Sequence, residues 1–154
     1  MLANVNIITR NPNDLPLGFA AGTLGTNGVR ELTARAALRF DSSAVGLTAS
    51  TSRDGGFDSL TQDAAGHDSL RIDRLALRSQ SRIGVRSTLS VQAALARGTA
   101  EIPFIDNFQL TYPDRRFEDV YAGALWTTQL AANHKLSVRL DHARQASRQS
   151  WRTC

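Results

Sequence analysis

The stretch RELTARAALRF, residues 30–40, alternates apolar and polar side chains along nearly its whole length. Its two sets are Leu32, Ala34, Ala36, Leu38 and Phe40 against Glu31, Thr33, Arg35 and Arg39. Successive side chains of a β-strand point to opposite faces, so a period of two is typical of a strand. The stretch therefore predicts a strand with one apolar face and one charged face.

The same period returns in the segments from Ala44, Thr88 and Lys135, while the segments from Leu70 and Val120 have strand length with a blurred alternation and the segment from Leu17 is glycine-rich. Together they predict seven strands of about ten residues each, which is the length of a membrane-spanning strand and exceeds that of most strands in soluble sheets. The predicted strands begin at Leu17, Val29, Ala44, Leu70, Thr88, Val120 and Lys135.

Long and short connections alternate between the predicted strands. Long polar segments near 54–68 and 98–119 alternate with shorter segments near 41–43, 81–87 and 132–134, and Asn27-Gly28 marks a tight hairpin. Outer-membrane barrels have short turns on one side and longer loops on the other. The predicted fold class is all-β, an antiparallel up-and-down sheet that forms an incomplete part of a transmembrane β-barrel. A soluble β-sandwich stays open as an alternative.

The alternation also predicts which side chains share a face of the sheet. We expect the apolar face to point toward lipid and the polar face to line the concave side. The apolar set is Leu32, Leu38, Leu89, Val91, Leu136, Val138 and Leu140, and the polar set is Arg35, Arg39, Gln92 and Arg139.

Composition narrows the class of protein. The 154 residues carry a net charge of +4, and 42% are hydrophobic. No apolar run approaches the roughly 18 residues of a membrane-spanning helix, and no secretory signal is found. The basic balance permits binding to nucleic acid, anionic lipid or an acidic ligand. The arginines form no block, however, and no nucleic-acid partner is expected. A single cysteine, Cys154, excludes a disulfide framework.

The stretch NVNIITRNP, residues 4–12, is a β-branched segment that ends at Asn11-Pro12. It resembles the end of the plug domain of TonB-dependent outer-membrane receptors, where a strand reading close to VNIITK-N-P leads into the barrel. The glycine-rich stretch GFAAGTLGTNGVRELTARAALRF, residues 18–40, is similar to the first barrel hairpin of that family. The resemblance implies that residues 1–12 are the C-terminal end of a plug and residues 13–154 the N-terminal part of a barrel.

The resemblance also implies a function and a location. A whole receptor of this family lies in the bacterial outer membrane and contacts outer-membrane lipid. It takes up a chelated metal of siderophore type or a similar nutrient, with energy from a TonB-type coupling protein. The body of a plug, a TonB-contacting box and a closing aromatic-terminated strand are not found, so we expect a fragment.

Two other classes of protein compete with this interpretation. One is a complete eight-stranded structural outer-membrane barrel, in which Val5 to Arg10 would pair with Lys135 to Ala143. The other is a soluble β-rich binding module, which would not need detergent for extraction.

The segment 99–121 combines aromatic residues with arginines and is predicted to be a long extracellular loop. Aromatic rings and guanidinium groups would hold an aromatic, anionic chelate by stacking and charge. The candidate ligand-binding residues are Phe104, Phe108, Tyr112, Arg115 and Arg116. Alternatively the loop packs on itself, with Phe117 and Tyr121 in an aromatic girdle at the membrane surface.

No cofactor, metal site or enzymatic activity is expected. The acidic segment with Asp54, Asp58, Asp63, His67 and Asp68 does not have EF-hand spacing. The remaining histidines, His134 and His142, do not form a zinc-binding pattern with His67. The chain contains no G-x-S-x-G elbow, and Gly22-Thr23-Leu24-Gly25 is neither a P-loop nor a dinucleotide fingerprint.

Overall fold

A computed structural model of the chain describes residues 17–56, 68–102 and 113–151. These residues form seven strands in one antiparallel sheet whose spatial order follows the sequence. The strands are β1 Gly18–Leu24, β2 Arg30–Arg39, β3 Ser43–Asp54, β4 Leu70–Ile83, β5 Ser87–Glu101, β6 Pro113–Ala131 and β7 His134–Trp151. The prediction of an all-β, up-and-down antiparallel sheet is confirmed.

The sheet is not closed, because β1 and β7 are its two edges. The segment Val5 to Arg10 lies outside the described residues. Its assignment to a plug and the competing assignment to an eighth strand both stay predictions, as does the division of the chain at residue 12.

The connections confirm the predicted asymmetry between the two ends of the sheet. Residues 40–42, 84–86 and 132–133 join strands at one end, and residues 25–29, 55–69 and 102–112 join them at the other. We call these the short-turn end and the long-loop end. The hairpin at 25–29 contains Asn27 and Gly28 with φ values of 56° and 72°. A tight hairpin turn of the primed type requires a positive φ at both central residues, and Asn-Gly adopts it most readily.

The later strands are longer than predicted. β6 has 19 residues and begins at Pro113, inside the segment predicted to be loop. The prediction failed there because residues 114–119 carry charged side chains on both faces, so the apolar period that marks a strand is missing. Backbone pairing with both β5 and β7 holds this segment in the sheet instead.

The sheet forms a single layer in the described part of the chain. The only buried hydrophobic residues found there are Ala37 and Ala44, and no large side chain is fully buried. A sheet is ordinarily stabilised by a second layer packed on its apolar face. Here hydrogen bonding between strands organises the fold, and the described residues supply no hydrophobic core.

Candidate functional site

One face of the sheet carries most of the large apolar side chains. Residues directly opposite each other in an antiparallel pair point to the same side, so the strand register assigns each side chain to a face. Twelve exposed large hydrophobic residues share what we call the apolar face: Leu24, Leu32, Leu38, Leu47, Leu75, Leu77, Ile83, Val91, Trp126, Leu136, Val138 and Leu140.

The predicted division of side chains between the two faces is confirmed by the register. Leu89 joins the other six predicted aliphatic residues on the apolar face. The four predicted polar residues, Arg35, Arg39, Gln92 and Arg139, all lie on the opposite side, which we call the polar face. Ala37 and Ala44, the two buried alanines, also belong to the polar face. Neither of them therefore covers any part of the apolar face.

The apolar residues shift along the strands across the sheet. In β2 they extend from Leu32 to Leu38, and in β7 from Leu136 to Leu140. Following the register across the sheet, the middle of the apolar residues in β2 lies level with Ala143 in β7. The middle of the apolar residues in β7 is Val138, which is five residues away along the strand. Five residues correspond to about 16 Å along the strands, and the distance from β2 to β7 is about 24 Å across them. The band of apolar residues is therefore inclined by about 35° to the direction perpendicular to the strands. Strands of membrane barrels are tilted by about 35–45° against the membrane normal.

Arginines from five strands meet on the apolar face toward the long-loop end. They belong to one row of direct register partners, which we call the arginine row: Arg30, Arg53, Arg71, Arg116 and Arg148, with Thr99 as its β5 member. The β4–β7 part of the row borders a groove of about 630 Å³ that also contains Asp73, Arg97 and Glu118.

Two ion pairs lie beside the arginine row. Arg71 Nη2 is 3.2 Å from Asp73 Oδ2, and Arg97 Nε donates to Glu118 Oε2 at 2.7 Å. Thr51 Oγ1 also donates to Asp73 at 2.7 Å. All four charged side chains are well exposed, so each pair contributes at most about 1 kcal/mol in water. The two carboxylates between the row and the apolar residues, Asp73 and Glu118, are therefore both bound within the sheet.

The polar face carries a connected hydrogen-bond network. Gln92 Nε2 donates to Tyr121 Oη at 2.7 Å, and Tyr121 Oη donates to Asp141 Oδ1 at 2.5 Å. Arg139 Nε in turn donates to Asp141 Oδ2 at 2.5 Å. Gly123 lies between Gln92 and Asp141 in the register, and a Cβ there would lie 2.6 Å from Tyr121 Oη. The glycine leaves the space through which the tyrosine reaches both partners.

Replacing Tyr121 by Phe is expected to lower the free energy of unfolding by about 1–2 kcal/mol, because it removes the hydroxyl that joins two hydrogen bonds. The test is a double-mutant cycle with Asp141→Asn, measured by chemical unfolding of the refolded chain. A coupling energy larger than the error of the measurement is expected for side chains in one network. Additive effects of the two substitutions would show that the network contributes nothing.

A groove of about 450 Å³ lies beside this network on the polar face. Its polar-face lining alternates small and polar residues from four strands: Arg74, Ala76, Ala94, Ala96, Asp119, Tyr121, Ala143 and Gln145. Asp119 Oδ1 is buried there without a hydrogen-bond partner among the described residues. Such a carboxylate oxygen is costly unless a donor reaches it. The groove therefore offers an acceptor to a donor group approaching the polar face.

Two of the five predicted ligand-binding residues fall within the described strands. Phe104, Phe108 and Tyr112 lie outside the described residues, so their part in a binding site stays a prediction. The loop assignment of Arg115 and Arg116 is wrong, since both belong to strand β6. As neighbours in a strand they point to opposite faces. Arg115 Nε donates to Ser147 Oγ at 3.0 Å on the polar face, and Arg116 joins the arginine row.

The other residues singled out from the sequence lie partly within the described strands and loops. Asp54 ends β3 and accepts a hydrogen bond from the Gly56 amide at 3.0 Å, while Asp58, Asp63 and His67 lie outside the described residues. His134 and His142 both belong to β7. Within residues 17–56, 68–102 and 113–151, no three acidic, histidine or cysteine side chains are grouped to hold a metal ion. Over the same ranges, no helix has the length and hydropathy to cross a bilayer.

The arginine row was not predicted from the sequence, because each strand contributes at most one arginine to it and the arginines are therefore far apart along the chain. A usable signal exists in the sequence, since register partners are equidistant from the turn that joins them. Arg30 and Arg53 flank the turn at 40–42 symmetrically to within one residue, and Arg116 and Arg148 flank the turn at 132–133 in the same way.

No protein-family model matches the chain, nor does any curated protein or solved structure. The register, the exposure of the apolar face and the two polar clusters are therefore the basis on which a function is inferred.

Proposed function

We propose that this chain is part of the wall of an outer-membrane β-barrel, with the apolar face toward lipid and the polar face toward the lumen. The observation that carries the proposal is the apolar face itself, with twelve exposed large hydrophobic side chains on a single-layer sheet. An exposed apolar surface of this extent marks contact with a membrane or another protein. A bilayer covers such a face without any second layer of protein.

The dimensions of the apolar face support a bilayer as its environment. In β5, Ser87 and Arg97 are the polar residues on either side of the apolar stretch. They are about 33 Å apart along the strand, or about 25 Å along the membrane normal at a tilt of 35–45°. The outward apolar band of outer-membrane barrels is about 25 Å tall. The long-loop end would face outward and the short-turn end the periplasm.

We further propose that the whole protein is a TonB-dependent receptor that imports a chelated metal or a similar nutrient. The resemblance of NVNIITRNP to the end of a plug supports this assignment. The polar face would then surround the plug, and the Asp119 carboxylate would accept a hydrogen bond from it. The open edges at β1 and β7 would pair with further strands, because an unpaired backbone group costs several kcal/mol in lipid.

Trp126 provides a direct test of the wall orientation, because it lies on the apolar face near the short-turn end. In vesicles whose acyl chains carry bromine, the fluorescence of Trp126 is expected to be strongly quenched. Trp151 is replaced by Phe throughout, so that Trp126 is the only emitter.

The matched control moves the tryptophan by one residue. The pair Trp126→Phe and Leu125→Trp places the indole on the polar face, where the expected quenching is weak. Equal quenching of the two variants would contradict the proposed orientation. A chain that folds in buffer without detergent or lipid would favour the soluble module instead.

A further inference from the structure

On the polar face, arginines of β2 and β4 alternate along the two sides of β3. Every second residue from Ser42 to Ser50 has one arginine directly beside it, and that arginine belongs to β4 and to β2 in turn. We call this series the arginine zigzag, and its members from the short-turn end are Arg82, Arg39, Arg78, Arg35 and Arg74. Successive members are about 7 Å apart along the strand direction.

The arginine zigzag surrounds a floor of small residues. The polar-face residues of β3 between the arginines are Ala44, Gly46, Thr48 and Ser50. Ala44 and Gly46 are buried, although the described sheet has a single layer. Arg35 and Arg78 are half-buried beside them. This pattern fits arginine stems that lie along the floor while their guanidinium groups stay in water.

The guanidinium groups of the arginine zigzag are mostly not neutralised by the sheet. Among the described residues, Arg35, Arg74, Arg78 and Arg82 form no ion pair with a carboxylate. Arg35 Nε donates to Thr48 Oγ1 at 3.2 Å, and Arg82 Nη2 donates to the Asp41 carbonyl oxygen at 3.0 Å. Both acceptors are neutral, so the positive charge remains.

The nearest carboxylates lie at the ends of the arginine zigzag. They are Asp41 at the short-turn end, and Glu31, Asp54 and Asp119 toward the long-loop end. Arg74 is separated from Asp119 by Ala96 in the register and by the groove on the polar face. From the level of Ala44 to that of Thr48, the described polar-face positions of β1–β5 contain no carboxylate. Positive charge is therefore concentrated in the middle.

No member of the arginine zigzag lies directly opposite another arginine, in contrast to the arginine row. Arg78 lies between Gly46 and Gln92 in the register, and Arg35 lies between Phe19 and Thr48. Like charges in direct cross-strand pairs are destabilising. The alternation keeps the arginines close without such pairs. Because only small side chains separate them across β3, one anion can contact two neighbouring guanidinium groups.

The arginine zigzag extends along most of the height of the proposed wall. From the level of Ser42 to that of Ser50 it covers about 26 Å along the strand, or about 20 Å along the membrane normal at a tilt of 35–45°. Leu75 and Leu77 lie between Arg74 and Arg82 on the opposite, apolar face. Cations that line a cleft with low-dielectric walls raise the local concentration of anions.

We propose that the arginine zigzag guides small anionic solutes along the lumen, with the carboxylate or phosphate groups of the solute bound in turn by neighbouring arginines. Guanidinium groups match both kinds of oxyanion with paired N–H donors. A fixed counter-charge would need one or two arginines, whereas repetition over five levels suits a ligand that moves between sites. The inference rests on the proposed function and adds the charge class of the solute to it.

The experiment uses the full chain inserted into phosphatidylcholine vesicles with brominated acyl chains. Trp151 is replaced by Phe, so that quenching of Trp126 reports the orientation of the sheet in the same sample. Sodium tripolyphosphate and citrate are titrated separately at low salt, and their binding is measured by calorimetry. Arg35→Gln with Arg78→Gln is expected to weaken the binding of both anions about tenfold, or about 1.4 kcal/mol, since each exposed ion pair contributes up to about 1 kcal/mol.

The matched control, Arg115→Gln with Lys135→Gln, removes two positive charges from the same face on β6 and β7. It is expected to bind both anions like the unmodified chain. Equal binding by the arginine-zigzag variant, or an equal loss in the control, overturns the inference. Strong quenching of Trp126 in that sample would leave the proposed wall intact. A chain whose Trp126 is not quenched overturns the orientation and the inference together.

Two further outcomes concern the identity of the anion. A loss of binding confined to tripolyphosphate or to citrate would support the inference and assign the solute to phosphates or to carboxylates. A peptide of six glutamates is titrated at equal total charge and is expected to bind more weakly, because its charges are spread over a longer chain than two guanidinium groups can contact. Tighter binding of the peptide would indicate a protein partner with acidic side chains and would overturn the assignment to a small solute.

Discussion

Replacing Val91 by arginine is expected to lower the free energy of unfolding in a lipid bilayer by about 2–4 kcal/mol, the cost of a cation on the lipid face near the bilayer midplane. Val91 lies on the apolar face in the middle of the β5 stretch between Ser87 and Arg97. An arginine there cannot reach water at either end without distorting the strand. The measurement is guanidinium unfolding of the chain in phosphatidylcholine vesicles.

Ser90→Arg is the matched control, because it adds the same charge one residue away on the polar face. It is expected to change the unfolding free energy much less, since a lumen-facing cation stays hydrated. The size of the Val91→Arg effect also distinguishes a lipid-facing barrel wall from a soluble module. Val91 is 37% exposed, and an ordinary surface substitution in water changes stability by no more than about 0.5 kcal/mol. An effect that small for Val91→Arg would argue against lipid contact.

The second large effect is expected at Gly98, where β5 meets its two neighbours. Replacing this glycine by alanine should destabilise the sheet by about 3 kcal/mol, at the upper end of the range for overpacking. The new Cβ would lie 2.6 Å from the carbonyl oxygen of Arg71 in β4 and would overlap the Phe117 ring from β6. A ring can rotate away, but the carbonyl belongs to the strand ladder, so relief requires β4 and β5 to separate.

Gly22→Ala in β1 is the control for that substitution. Its Cβ would meet only the Glu31 carbonyl oxygen, at an ordinary 3.7 Å. The control is expected to be neutral or to stabilise the chain by up to about 1 kcal/mol, since alanine restricts the unfolded state. Both variants are compared by chemical unfolding under the same conditions. Equal effects at the two positions would show that the sheet accommodates a side chain at Gly98 without separating β4 and β5.

Local alternation, segment length and the connections together were sufficient to predict the strands and their order. Residues such as Leu32 and Arg35 differ in polarity at strand spacing, and each neighbouring strand can be reached by a turn or a returning loop. The length of β6 could not be predicted in this way. Between Asp114 and Asp119 the side chains on both faces are charged, and backbone pairing decides the conformation there.

The site residues were harder to predict, because function on a sheet depends on register. Arg115 and Arg116 are adjacent in sequence, yet their side chains belong to opposite faces. Arg116 and Arg148 are far apart in sequence, yet they lie side by side. A pattern read along one strand reports which face a side chain occupies. Which side chains become neighbours depends on the turns, and three of the five predicted binding residues lie outside the described strands.

The neighbour-by-neighbour order of the strands has a consequence for how the sheet forms. Each strand finds its partner across only one connection, so closing that loop is the main entropic cost of adding it. Pairings of this kind have low contact order, which favours rapid folding and growth by one hairpin at a time. The turns at 40–42, 84–86 and 132–133 would close first, and the longer connections would then join the hairpins. A substitution that blocks one of these hairpins would therefore leave the other two able to form and would interrupt the sheet at the blocked pair.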